Sequence, residues 1–302
     1  MIAGPDADSL SSFSANLSAT RYAQQQAPEA VIRVAALVGY KAAVLEIGPA
    51  TGILTRMLSA EQGCEVTAIE IDPMAAERAR SLCKAIHIAD IESIEISLLL
   101  GDQKFNVVTF GDVLEHLRSP VAALKKVKPY IADDGCVVIS VPNIAHASIA
   151  YELANGRFDY RPTGLLDVTH IRFFTRKSLL QVIDDAGYVV VDFDRVIVNP
   201  EQTEFNTKAY STAQQQLLHY FESSNSESST YQFIVRVVPR KADKPYVSET
   251  VVANLVDKLK TLENQLAAER TRADRFESDL SWIEKRWHIR WVRRLKSLVS
   301  QH

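Results

Sequence analysis

The residues best suited to chemistry lie in the first half of the chain. Gly48 and Gly52 follow an apolar run, Ala43-Val44-Leu45-Glu46-Ile47, and a segment with helical spacing begins at Ile53-Leu54-Thr55. Glycines at a strand-to-helix turn let backbone N–H groups approach a ligand, and the start of the helix adds a partial positive field. A second apolar run ends on Glu70, and a carboxylate about 20 residues beyond the loop suits ribose hydroxyls. Asp72, Asp90 and Asp112 follow the second, third and fourth runs. The chemistry implied is the binding of a nucleotide-type ligand.

Candidate strands at 43–47, 65–70, 85–88, 105–110 and 136–141 alternate with segments of helical spacing, which predicts a parallel sheet covered by helices. The acids then stand at the carboxyl ends of adjacent strands, the edge where open α/β sheets bind ligands. For Asp72 or Asp90 taken singly, a helix N-cap is the better reading; the row of acids along one edge favours a shared ligand. Pro28 opens a helix running to Gly39, and Thr175 and Gly187 bracket another over 175–186. Tyr188–Val198 and Tyr231–Val238 are expected to be the last two strands of the same sheet, one of them antiparallel.

The 302 residues suffice for one domain with an extension. A net charge of -3 gives no reason to expect a nucleic-acid partner. Cys64, Cys83 and Cys136 lack metal-like spacing and are read as reduced thiols. The N-terminus does not read as a secretory signal, and the sequence has no uncharged apolar run of about 18 residues. The expected location is the cytoplasm, with the inner face of the membrane as a peripheral site.

The expected divisions are a flexible arm at 1–27, the α/β domain at 28–240, a linker at 241–250 and a helical extension at 251–302. In the extension, Leu255, Leu259, Leu262, Leu266, Ala273, Phe276, Leu280, Ile283 and Trp287 recur in steps of four and three, interrupted at Glu269. This pattern predicts a coiled coil and a homodimer, in preference to one helix folded back on the domain. Residues 282–302 carry six Lys/Arg against one Glu, interleaved with Trp282, Trp287 and Trp291. Such a stretch suits an anionic membrane surface or the solvated end of the coiled coil equally well.

The segments Val44–Gly52, Ala68–Asp72, Ala89–Glu92 and Phe105–Leu117 together resemble the class I S-adenosylmethionine-dependent methyltransferases over about residues 30–240. The resemblance implies a Rossmann-like, mostly parallel seven-stranded sheet with helices on both faces, and S-adenosyl-L-methionine as cofactor. It implies that Gly48 and Gly52 shape the cofactor loop and that Glu46 and Asp112 meet the methionine part. Glu70 would bind the ribose hydroxyls, Asp90 the adenine amino group, and Ile91 would form a wall against the ring. The family's commonest loop is Gly-x-Gly-x-Gly, whereas Ala50 holds the middle position here; an alanine is expected to fit there at negative φ.

The stretches Ile139–Ser148, Gly156–Tyr160 and Gly164–Thr175 look like a bacterial subgroup often associated with cell-surface polysaccharide assembly. Methyl transfer is an in-line displacement, so alignment dominates, and a base helps when the acceptor is a hydroxyl. His146 and His170 are the preferred candidate bases, with His116 as a third and as a loop former. Asn143, Asp167 and Arg172 are expected to bind a polar acceptor. No metal is expected, since Asp159 and Asp167 alone make a poor site. The leading function is O-methylation of a sugar or other polar hydroxyl acceptor. Asp112-Val113-Leu114-Glu115-His116 also resembles the quinone-pathway O-methyltransferases, an alternative. More distant alternatives are an NAD-dependent oxidoreductase, disfavoured by Ala50 and Ile53 in the loop, and a non-catalytic cofactor-binding scaffold.

Overall fold

The computed structural model describes residues 28–205, 212–241, 266, 267 and 269–272. The chain divides into one unit ending at Glu249 and a second from Thr250. Of the predicted heptad positions, Leu266 is helical and exposed. The other heptad positions, the basic C-terminal stretch and the N-terminal arm lie outside the described residues.

Seven strands form one sheet: β1 Ala43–Ile47, β2 Glu65–Glu70, β3 Ala85–Ile88, β4 Phe105–Gly111, β5 Ile131–Pro142, β6 Tyr188–Ile197 and β7 Thr230–Pro239. Their order is β3-β2-β1-β4-β5-β7-β6. β7 runs antiparallel to both neighbours, as the sequence pattern requires of one of the last two strands. The fifth strand is longer than the expected 136–141. Phe105 pairs with Ile131 and Val107 with Cys136, so the intervening residues of β5 form a polar bulge that hides the early part of the strand from a hydropathy reading.

Alternation of side chains divides each central strand between two cores. Leu45, Ile47, Val108, Phe110, Val137 and Ile139 face α5 (Pro120–Val127) and α7 (Arg176–Asp185). Val44, Val66, Val107 and Val138 face α1 (Glu29–Val38) and the helical turn α2 (Ile53–Arg56). Each fully buried aliphatic side chain contributes about 1.5–3 kcal/mol, enough for these two layers to fix the register of the sheet. Glu46 shares the second face with Val44, which aims a carboxylate into an otherwise apolar layer.

Helix termini agree with the sequence signals. Pro28 and Gly39 flank α1, and Thr175 caps α7 in a reciprocal capping box with Ser178. Asp72 caps α3 (Pro73–Ala79) by accepting the Met74 N–H at 2.8 Å, and the helical turn α4 (Ser97–Leu100) precedes β4. A small third core of Ile149, Leu165, Leu166 and Phe205 packs a cap beside the sheet, carrying α6 (Ala147–Ala154) and the 161–174 loop.

Candidate active site

β1 is flanked by β2 on one side and β4 on the other, so chain order reverses at this strand. That reversal opens a crevice at the carboxyl ends of β1 and β4. Two cavities of about 440 and 830 Å³ meet there and share Gly48, Ala50, Asp112 and His116 in their walls. The larger is bounded by Glu70, Asp90 and Ile91, the smaller by Glu46, Glu115, Asp167 and His170.

Gly48 at φ +68° and Gly52 at φ +80° both occupy left-handed backbone. A Cβ at Gly48 would lie 2.8 Å from Val113 Cγ2, so both conformation and space require glycine there. Ala50 does not have the negative φ expected from its side chain; it sits at +48°. Its N–H donates to Glu70 Oε2 at 2.9 Å, and that bond to a nearly buried carboxylate holds the unfavourable conformation. The second oxygen, Glu70 Oε1, accepts the Asp72 N–H at 2.9 Å. Glu70 thus braces the loop, while a carboxylate retains further lone pairs for ligand hydroxyls.

Beyond Glu70, Asp90 accepts the Glu92 N–H at 2.8 Å and turns the chain so that Ile91 enters the wall. Lys126 fastens this loop by donating to the carbonyls of Ile91, Glu92 and Ile94 at 2.8–3.0 Å. On the other side Glu46 is 2 % exposed and accepts the Thr55 hydroxyl at 2.8 Å. Burial pushes its carboxyl up to about 7, opposed by the Thr55 bond and aided by Glu70. Asp112, at φ +55°, opens onto the cleft while its Oδ1 is held by the Ser140 hydroxyl at 2.9 Å and by Gln232 Nε2. Partial removal of that carboxyl from water raises its pKa from the ordinary aspartate value, opposed by the Ser140 bond, by His116 and by the Gln232 bond.

These features fit S-adenosylmethionine. The glycine turn admits backbone-close contact, the buried Glu46 carboxyl suits the ammonium end, and the cavities lie within the volume range of small-ligand sites. Crevice and topology define the class of S-adenosylmethionine-dependent methyltransferases. A family model described as a methyltransferase domain matches residues 19–192, and the chain belongs to that family.

The ubiquinone biosynthesis O-methyltransferase of Pasteurella multocida is 27% identical over 177 residues, covering 54% of this chain and 72% of that protein. The protein of the same name from Coxiella burnetii is 23% identical over 167 residues, covering 54% and 70%. Among solved structures, a TehB-like SAM-dependent methyltransferase from Corynebacterium glutamicum has a TM-score of 0.47 at 15% identity, over 78% of this chain and 100% of that one. A possible histamine N-methyltransferase from Thermotoga maritima has a TM-score of 0.47 at 14% identity, over 70% and 88%.

The structure separates the expected acceptor residues. His116, Asp167 and His170 line the smaller cavity. His146 does not: it is fully buried at the start of α6, with Nε2 donating to the Val198 carbonyl at 3.0 Å and Nδ1 accepting from Ser148. The expectation of a base at His146 is therefore corrected to a helix cap, both of whose ring nitrogens are engaged. Asn143 is likewise a buried clamp and not an acceptor ligand, its Nδ2 donating to the carbonyls of Glu227 and Thr230 and its Oδ1 accepting the Ala145 N–H. Arg172 reaches outward to the Arg118 carbonyl and is absent from the walls of both cavities.

Sequence reasoning missed Glu115, which is 0 % exposed and lines the smaller cavity. Neither carboxylate oxygen meets a hydrogen-bond donor among the described residues. Burial, with Asp112 and Asp167 nearby, drives its carboxyl well above the ordinary range. His170, beside it, is brought down to about 4 by burial and by the neighbouring His116. The apolar wall from Ala30, Val31 and Val34 of α1 was also unforeseen, because nothing in a helix's own spacing says which ligand it will border.

Proposed function

We propose that this protein methylates a hydroxyl oxygen of a polar, polyhydroxylated acceptor such as a sugar, at the smaller cavity. The observation that carries the reading is the set of polar side chains lining this cavity, Glu115, His116, Asp167, His170 and Gln232. Prominent hydrogen-bonding capacity of this kind suits an acceptor rich in hydroxyls. The bound cofactor supplies a methyl group on a positively charged sulfur. In the transfer the acceptor oxygen forms the new C–O bond, the C–S pair returns to sulfur, and the hydroxyl proton must leave. Glu70, Asp90 and the glycine turn are assigned to holding the cofactor, Glu46 and Asp112 to its methionine end, and the Glu115–His116–His170 group to activating the hydroxyl.

A second reading is a quinone-precursor acceptor. It is favoured by the apolar wall of Ala30, Val31 and Val34, and by the name of the Pasteurella and Coxiella relatives. Transfer of labelled methyl from S-adenosylmethionine to parallel sets of sugar nucleotides and polyprenylated catechols separates the two. Labelled sugar with silent catechols is the expected result; labelled catechol with silent sugars overturns the first reading. We also propose that the extension beyond Thr250 supports homodimerisation or contact with anionic membrane, and that the protein works in the cytoplasm or against the membrane's inner face. Loss of the full-length oligomer and of liposome binding on truncation at 245 supports this reading, and its failure is an unchanged oligomer whose full chain ignores anionic liposomes.

A further inference from the structure

Glu115 and His116 are carried by the turn after β4, and His170 by the cap loop more than fifty residues later. One donor atom from each lies within 4.8 Å of the others. Two backbone bonds join the turn to the cap, the N–H groups of Ile171 and Arg172 donating to the Glu115 carbonyl at 3.0 and 2.9 Å. A third contact is made by the histidine itself, since His116 Nδ1 lies 3.1 Å from the Thr169 carbonyl. The cluster is therefore held by main chain, not by one flexible side chain.

The histidine partners decide the chemistry. A carbonyl only accepts, so Nδ1 of His116 carries a proton, and so does Nδ1 of His170, 3.3 Å from the Leu165 carbonyl. Both rings are thereby left with an Nε2 lone pair, and their centroids lie 4.9 Å apart in an edge arrangement. Carbonyl-anchored imidazoles of this kind are how proteins orient metal-binding histidines. Beside them is the fully buried carboxyl group of Glu115, neither of whose oxygens meets a donor among the described residues. An ionised carboxylate in that position requires a cation. Among the described residues, Arg78 on α3 is the one Lys or Arg in the walls of the smaller cavity.

We infer that Glu115, His116 and His170 form a binding site for a divalent first-row transition-metal ion at the acceptor end of the cleft. Two imidazoles and one carboxylate are a donor set suited to ions such as Zn²⁺, Mn²⁺, Fe²⁺ or Co²⁺, whereas Mg²⁺ and Ca²⁺ favour oxygen throughout. Ligand atoms about 2.0–2.2 Å from such an ion stand roughly 3–4 Å from each other, so side-chain torsion needs to close the cluster by about 1 Å. Three protein ligands leave coordination positions for one or two acceptor oxygens. The ion would lower the pKa of a coordinated hydroxyl, whose proton passes to water. Neighbouring hydroxyls on one acceptor, present in sugars and catechols alike, match two open positions.

The site stands on the cluster's geometry and is independent of which acceptor is methylated. The test accordingly uses no acceptor. Chelator-treated full-length protein is titrated with Co²⁺ and followed by visible absorption, with S-adenosylhomocysteine binding measured calorimetrically on each variant as proof of folding. The expected result is one Co²⁺ per chain with ligand-field bands, and a Kd raised at least about tenfold by each of Glu115→Gln, His116→Ala and His170→Ala. Asp159→Asn, an exposed acid outside the cluster, should leave Co²⁺ binding unchanged. No Co²⁺ uptake by the wild type at about 1 mM, or uptake undiminished in the folded variants, overturns the inference. If one variant fails to fold, the other two decide.

Discussion

Glu46 offers a prediction whose size follows from its surroundings. An ordinary glutamate titrates at 4.5, whereas burial pushes this one up to about 7. Between these values the folded protein binds more protons than the unfolded chain, so stability falls as pH rises through the window and stays reduced above about 7. At 1.36 kcal/mol per pH unit the interval sets a ceiling of about 3 kcal/mol. Glu46→Gln keeps an acceptor for the Thr55 hydroxyl and removes the ionisation. Urea unfolding of both proteins from pH 4.5 to pH 8.5 isolates the residue, because other titrations cancel in the difference. The variant should match the wild type near pH 4.5 and exceed it by about 1–3 kcal/mol at pH 8. Cofactor binding should show the converse. A cationic methionine end favours the ionised carboxylate, so wild-type affinity should rise with pH up to about 7, by at most about tenfold per unit, and Glu46→Gln should be flat and weaker. A difference in stability that is constant with pH, or a variant less stable at pH 8, would show that Glu46 is not held protonated by the fold.

The remaining predictions concern backbone and clamp positions. Ala50→Gly relieves a left-handed alanine at φ +48° and should add about 1 kcal/mol to unfolding stability, read from denaturant midpoints at unchanged m. Gly48→Ala introduces a Cβ 2.8 Å from Val113 Cγ2 at φ +68°; a loss of about 2–4 kcal/mol and of S-adenosylhomocysteine binding is expected by calorimetry. Asn143→Ala leaves two buried carbonyls and the Ala145 N–H without their partner and should cost about 2–4 kcal/mol, with methyl transfer per folded molecule retained. His146→Ala should also act on stability, by about 1 kcal/mol for a lost cap, and activity per folded molecule that vanishes would restore it as a base.

Much of the fold was legible because its signals are local. The edges of β1 to β4, the Thr175 cap and the Pro28 and Gly39 boundaries each depend on a few adjacent residues. So does the antiparallel last pair, whose apolar runs are long enough to read directly. β5 escaped in part because residues 132–135 bulge out of register, which breaks the alternation. The cofactor edge was legible for a different reason: parallel strands put every carboxyl end on one side, so the positions of Glu70, Asp90 and Asp112 followed from the strand assignments.

The acceptor end was less so, because there sequence shows residue type but not direction. His146, Asn143 and His170 lie in equally polar stretches, yet two serve helix and strand ends while the third enters the cleft. Glu115 was hidden between Leu114 and His116, because sequence does not show that the 161–174 loop docks on this turn, the Ile171 and Arg172 N–H groups donating to its carbonyl, while its side chain is fully buried. Ala50 is expected at negative φ from its side chain, and only the Glu70 bond explains why it is held at +48°.

The crevice between β1 and β4 is assigned to the cofactor, across both cavities. A crystal structure with S-adenosylhomocysteine tests it most directly. The expected complex has the ribose hydroxyls on Glu70, the adenine between Ile91 and the Asp90 turn, and the methionine end between Glu46 and Asp112, with the sulfur directed toward His116 and His170. A ligand seated elsewhere, or one in the crevice with its sulfur turned away from the smaller cavity, would contradict it.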